Sequence, residues 1–281
     1  MTEQPEAVVV TGASSGIGAD AAALLAREGY VVYAGVRNDA DAARAAAAHE
    51  RIRPVRLDVT DAAAIAAAAE IVARGGVPLR AVVCNAGIAL AGPLEFLPID
   101  ELRRLFEVNV FGAMAVAQAF LPQLRATRGR LVFLGSSSGR LSVPFIAPYS
   151  ASKFALRALA DALRTELRRA GVAVSLIEAG SAKTPIWKKG RDGRAALEAK
   201  LGPAALERYR REVDAVFAQT AREERTAMPV ERVSRTILSA VRARKPRASY
   251  VLGAGTRAGA IVAILPPALR DRAIRASMRL P

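Results

Sequence analysis

The chain has 281 residues, 52% hydrophobic and only 5% aromatic, with a formal net charge of +15. That length and composition fit one large α/β domain packed with alanine, valine and leucine, and a single cysteine, Cys84, excludes an intrachain disulfide. The charge admits nucleic acid, an anionic membrane, an anionic cofactor or a solvated arginine-rich surface, and it is concentrated late, with 21 basic against 9 acidic residues from Pro185 onward.

Short β-like runs alternate with helical segments. The run AVVVT (7–11) reads as a buried strand, and GADAAALLARE (18–28) as a helix. A second strand (30–36) and helix (39–50) follow, then a strand at 53–59, a helix at 61–74 and a strand at 80–87. A long helix is predicted from about Ile99 to Arg125, a strand at 129–135, a helix from about Pro148 to Ala170 and a strand at 172–180. Near-continuous apolar strands with helical crossovers predict a doubly wound parallel sheet of about seven strands, covered on both faces. The chain is read as one domain, 1–281. Within it, 181–228 is charged and helix-prone and interrupts the alternation as a lid or substrate-binding insertion. A helix (about 229–243) and a last strand (248–253) precede a basic amphipathic tail, 256–281. The polar, acidic MTEQPEA start lacks a secretory pattern, and no uninterrupted apolar run reaches the ~18 residues of a membrane span, so a cytoplasmic protein is expected.

The stretch VVVTGASSGIGADAAALL (8–25) places three glycines and two serines between a strand and a helix. A helix N-terminus offers unpaired N–H groups and partial positive charge to an anion. Gly12 permits the tight turn, Gly16 close approach of a phosphate, and Gly18 close packing of helix on strand. The spacing T-G-x-x-x-G-x-G is one residue wider than the common dinucleotide fingerprint.

Thr11-Gly12-Ala13-Ser14-Ser15-Gly16-Ile17-Gly18 resembles the cofactor loop of the short-chain dehydrogenases/reductases, and the resemblance extends through residues 8–187 in five ordered motifs. It implies a Rossmann-type fold with Ser14, Ser15 and Ile17 lining the pyrophosphate. Eighteen residues past Gly18, where the family often has an aspartate, stands Val36, followed by Arg37. A guanidinium suits a 2′-phosphate, so NADP(H) is expected in preference to NAD(H). The resemblance gives Asp58 the adenine amino group and Val59 a backbone contact; Asp58 also fits a turn or helix cap. Asn85-Ala86-Gly87 resembles the second cofactor motif, with Asn85 bracing the central sheet.

Tyr149 and Lys153, in YSASK, stand one helical turn apart on one face. A nearby ammonium is expected to lower the phenol pKa, and a poised phenol can exchange a proton with a carbonyl or alcohol oxygen. Thirteen residues earlier, Ser136 matches the family's catalytic serine, with Ser138 the alternative register. Asn109, in FEVNVFG, matches an asparagine that holds a water near Lys153; alternatively it kinks the helix or bonds the backbone. Thr184 matches a threonine that contacts the nicotinamide carboxamide, after a turn in which Ala179-Gly180 replaces the family's Pro-Gly.

Leu90, Val143, Phe145, Ile146 and Trp187, with Ser136, are the expected substrate-facing residues. They are apolar apart from Ser136, and VYAGVR, VSLIEAG and TPIW are similar to the steroid and retinol dehydrogenase branch. That implies a secondary alcohol and ketone, or a primary alcohol and aldehyde, on a steroid, retinoid or fatty compound. The alternatives are a small 3-oxoacyl or polyol-type substrate and a non-catalytic NAD(P)-binding sensor or scaffold. Metal is not expected. Nucleic acid is not expected either, because no recognition motif and few stacking aromatics are present. The resemblance favours a homodimer or homotetramer through the two long helices. The tail (an apolar run with Arg270, Arg272, Arg275 and Arg279) fits an anionic membrane surface, closure of the cleft or subunit packing.

Overall fold

The computed structural model describes residues 4–185 and 194–278. Seven parallel strands are ordered β3-β2-β1-β4-β5-β6-β7. They are β1 (Ala7–Val10), β2 (Val31–Val36), β3 (Ile52–Arg56), β4 (Leu79–Cys84), β5 (Arg130–Ser136), β6 (Ala173–Ala179) and β7 (Ser249–Leu252). The central strands are buried on both faces, which is why their sequences run apolar without alternation. Pro54 lies in edge strand β3, where one side of the ladder needs no donor.

Helices α1 (Gly16–Arg27), α2 (Asp39–Ala48) and α3 (Ala62–Arg74) follow the first three strands. Next come α4 (Ile99–Phe106), a π-helical turn (Glu107–Gly112) and α5 (Ala113–Thr127). Then follow α6 (Ala147–Glu166), α7 (Arg194–Thr226), α8 (Val230–Arg242), α9 (Ala254–Ala263) and α10 (Pro267–Met278). One core packs α3, α5 and α6 on a face of the sheet through Val72, Phe120, Leu124 and Leu156. The opposite core packs α1 and α8 through Ala22, Leu25, Val233 and Ile237. Among the described residues one stretch, Ile99–Thr127, is long and apolar enough to cross a bilayer. Here it is a core helix, with Val116, Ala117, Phe120 and Leu124 packed within the fold.

Four elements depart from the sequence reading. The predicted strand 53–59 ends at Arg56, and Leu57 makes one more ladder bond, to Val36 O at 2.9 Å. Beyond it, Asp58 Oδ1 accepts from Thr60 N at 2.9 Å and Thr60 Oγ1 at 2.8 Å, an Asx turn that competes with strand pairing. Strand 80–87 ends at Cys84, because Asn85 donates through Nδ2 to Thr11 O at 2.9 Å and Gly12 O at 3.2 Å. The helix of 99–125 is not uniform, since the π turn at Asn109 divides it. The insertion holds α7, kinked where Gly202 takes a left-handed φ of 76° before Pro203 and again at Tyr209.

Candidate active site

Strand order reverses between β1 and β4, which opens a crevice at their C-terminal ends. The glycine turn lies on one side of it. Gly12 and Gly16 have φ of 64° and 57°, values that favour glycine. A Cβ on Gly18 would lie 2.3 Å from Gly12 O, so only glycine lets α1 approach the turn so closely. Ser15 is extended and makes no side-chain cap, so the first N–H groups of α1 are not satisfied by it. Ser14 is half-buried and Ser15 exposed beside this donor cluster. Across the crevice Thr11 Oγ1 accepts from Asn85 N and Ala86 N, both at 3.0 Å, clamping the NAG turn to β1.

Two charged residues mark the far end of the crevice. Arg37 is exposed after β2, close enough for its charge to help lower the Asp58 pKa, although the Thr60 backbone hydrogen bond is the larger cause. At the near end, Thr184 sits against the glycine turn: a Cβ on Gly16 would lie 3.2 Å from Thr184 Cβ and Cγ2. Gly180 donates its N–H to Leu252 O at 3.0 Å, which ties the Ala179-Gly180 turn to β7.

The chemistry-bearing side chains converge beside this crevice. Ser136 ends β5, and its Oγ accepts from Ser138 N at 3.1 Å. Tyr149 and Lys153 are one turn apart on α6, and the Ser136 hydroxyl is near enough to Tyr149 to act on its titration. Lys153 Nζ lies 5.7 Å from the Tyr149 ring centroid and donates to Leu134 O at 2.8 Å. The expected lowering of the phenol is corrected by this geometry. Burial pushes Tyr149 above its ordinary value, with the Ser136 hydroxyl only partly opposing it, and burial depresses Lys153 to about 8.

Asn109 meets both open readings of a polar residue in that helix. It lies within the π turn and is buried. Its Oδ1 accepts from Ile88 N at 2.8 Å, and its Nδ2 donates to Ile88 O at 2.9 Å and Ser152 Oγ at 3.0 Å. The bulge thus aims an amide at the loop after β4. A Cβ on Gly87 would lie 3.3 Å from Asn109 Oδ1 and 3.8 Å from Lys153 Nζ, so glycine keeps open a polar gap between those groups.

The depressed lysine gives a stability prediction. Between about 8 and its ordinary 10.5 the unfolded chain binds more protons at this site than the folded one. Stability should therefore rise with pH across that window, by up to about 3 kcal/mol from this group. Urea midpoints for the parent are expected to rise from about pH 8 to about pH 10 relative to Lys153→Met, which lacks the titration. Parallel profiles for the two proteins would rule the effect out.

Leu90, Val143, Phe145 and Ile146 are half-buried, whereas Trp187 lies outside the described residues. Phe145 adopts a left-handed φ of 67°, held by Gly92 N donating to Phe145 O at 2.6 Å. Sequence reasoning missed Phe145's partner, Tyr209 on α7. The Tyr209 ring packs edge-on against Phe145 and Phe96, with centroids 5.9 Å and 6.1 Å away, and its hydroxyl donates to Glu95 Oε2 at 2.8 Å. It also missed Glu178, although an acid inside VSLIEAG was a visible signal, since a buried charge requires partners. Glu178 is 0% exposed and accepts from Arg140 Nε at 2.8 Å, Arg140 Nη2 at 2.5 Å, Arg157 and Ser249 Oγ at 2.6 Å. The lone Cys84 is buried, its thiol pushed up to about 12, which makes it a packing group and not a nucleophile. Among the described residues, no three His, Cys, Asp or Glu side chains are grouped to hold a metal ion.

A glycine-lined turn at the switch point of a doubly wound sheet, with a tyrosine and lysine beside it, is the architecture of dinucleotide-dependent oxidoreductases. The family model for short chain dehydrogenases matches residues 6–195. The chain is 35% identical over 252 residues to an NADPH-dependent 3-dehydrocapnine reductase of Ornithobacterium rhinotracheale, covering 87% of each protein. It is 37% identical over 254 residues to human 17-beta-hydroxysteroid dehydrogenase type 1, covering 86% of this chain and 76% of that one. A crystal structure of a short-chain dehydrogenase from Streptomyces avermitilis superposes with a TM-score of 0.78 at 27% identity, over 99% of this chain and 96% of that one. The chain belongs to the short-chain dehydrogenase/reductase family, and is an oxidoreductase of CH–OH groups that uses a nicotinamide dinucleotide.

Proposed function

We propose that this enzyme interconverts an alcohol and a carbonyl on a lipophilic substrate of steroid, retinoid or fatty type, with NADP(H) preferred over NAD(H). The carrying observation is the Ser136–Tyr149–Lys153 grouping, beside the crevice that opens between β1 and β4. The bound dinucleotide supplies or accepts the hydride. Gly12, Gly16 and the open N-terminus of α1, with Ser14, Ser15 and Ile17, form the anion cradle. Asp58 and Val59 face the adenine, Asn85, Ala86 and Gly87 line the ribose side, and Gly180 and Thr184 close the nicotinamide end.

Ser136 holds the substrate oxygen, and Tyr149 passes it a proton or takes one from it. Lys153 provides cationic character behind the ring, and the gap beside Gly87 suits a water joining Lys153 to Asn109 and onward to solvent. The apolar wall of Leu90, Val143, Phe145 and Ile146, closed by Tyr209, supports a lipophilic substrate. The relative named for hydroxysteroids points the same way. Exposed Phe111 and Phe154 on the long helices support a homodimer or homotetramer, which a solution mass of a single chain would overturn.

The test is a paired titration and turnover assay. NADPH should bind at least tenfold more tightly than NADH, and Arg37→Ser should remove most of that difference by deleting a charge-assisted phosphate contact worth about 1.5–3 kcal/mol. Carbonyl reduction should favour steroid-sized apolar ketones over small polar ones. Equal dinucleotide binding discards the role of Arg37, and turnover confined to small polar carbonyls discards the lipophilic reading.

A further inference from the structure

The last two helices make a hairpin at the catalytic end of the molecule. Helix α9 packs on β7 and on the Ser137–Gly139 turn that follows Ser136, and α10 folds back onto α9 and the α7 arm. Ile274 and Met278 bury α10. The other end of the hairpin does the reverse. Ile261, Ile264 and Leu269 stand 65%, 83% and 54% exposed around the Pro266-Pro267 bend. Branched aliphatic side chains so fully presented to water mark a contact surface.

Charge indicates what meets this surface. The hairpin carries Arg257, Arg270, Arg272 and Arg275 against a single acid, Asp271, whose carboxylate is 3.9 Å from Arg270 Nε. Arg257, Arg272 and Arg275 are exposed. The exposed arginines of α10 begin at Arg272, three residues or about 4.5 Å along the axis behind Leu269. A second copy of the chain is a poor partner here, because a two-fold contact sets the same patch on itself and would face arginines with arginines. An aliphatic tip backed by cations matches a surface with apolar depth beneath negative headgroups.

We infer that the α9–α10 hairpin docks this protein on anionic lipid bilayers, with Ile261, Ile264 and Leu269 entering the interface and the arginines meeting the headgroups. The docking itself does not depend on the substrate reading.

The experiment is flotation of the full-length protein with vesicles of phosphatidylcholine mixed with phosphatidylglycerol, and with phosphatidylcholine alone. Binding is expected to the mixed vesicles only, and to fall as salt is raised from about 0.1 M to about 1 M. Ile264→Asp should weaken it at least tenfold, and Arg272→Glu and Arg275→Glu by about fivefold or more each. All three positions lie on the surface and outside the catalytic grouping, so dinucleotide binding should persist in every variant and certify the fold. Absence of flotation, equal flotation on both vesicles, or an Ile264→Asp variant that binds as before would overturn docking. So would a variant that changes only the mass in solution, which would make the face a subunit contact. Flotation without turnover of lipophilic ketones would leave docking standing and remove the substrate reading.

Discussion

Tyr149→Phe is expected to lower kcat by about 10²- to 10⁴-fold while the dinucleotide still binds. The substitution removes one hydroxyl and keeps the ring, a cost to stability of about 1 kcal/mol at most, so the variant stays folded. It leaves the Lys153 bond to Leu134 O and the packing of α6 in place. Proton exchange with the substrate oxygen is the step that fails. Turnover and fluorescence titration on the same preparation separate the two effects. A variant that kept a tenth or more of the parent kcat would mean that another group handles the proton.

Glu178→Ala has the largest expected effect on stability. The carboxylate gathers four hydrogen bonds from three elements: the turn after Ser136 through Arg140, helix α6 through Arg157, and β7 through Ser249. Removing one partner of a buried ionic network costs about 3–5 kcal/mol, because the remaining charges keep their desolvation without compensation. Arg140 and Arg157 keep 24% and 29% of their side-chain surface in water, which places this case near the lower figure. Glu178→Gln retains an acceptor oxygen and the side-chain volume and should lose about half as much. Denaturant midpoints measure both. A loss below about 1 kcal/mol in the alanine variant would show that water replaces the carboxylate easily. Arg157 lies one turn beyond Lys153, so slack at Glu178 also loosens the helix that aims Tyr149.

The frame and its chemical residues were legible for local reasons. Gly12, Gly16 and Gly18 mark backbone that tolerates no side chain, and Tyr149 and Lys153 obey the period of a helix. Strand ends were less legible, because Asp58 and Asn85 divert the backbone by hydrogen bonds whose partners depend on the fold. The tyrosine pKa went the other way for a similar reason: spacing puts an ammonium near the ring, but burial is a property of the whole packed site. Tyr209 lies some sixty residues from Phe145 and gives no periodic signal, since the kinks at Gly202 and at Tyr209 itself set where its ring meets Phe145. The hub at Glu178 was half-visible, as an acid in a buried strand without any hint of which arginines it takes.

The α7 arm enters and leaves the fold at one place. Met228 N donates to Ser181 O at 2.9 Å, Lys183 N donates to Met228 O at 2.9 Å, and Ser181 Oγ donates to Glu223 Oε2 at 2.9 Å. A segment whose two ends are stitched together is an exchangeable cassette. Its length can change with only a logarithmic penalty in loop entropy, and neither the strand register nor the position of Tyr149 need move when it does. Diversification of substrate range on this scaffold therefore has a ready route, in which the arm is rewritten while the sheet and its proton-transfer residues are inherited unchanged.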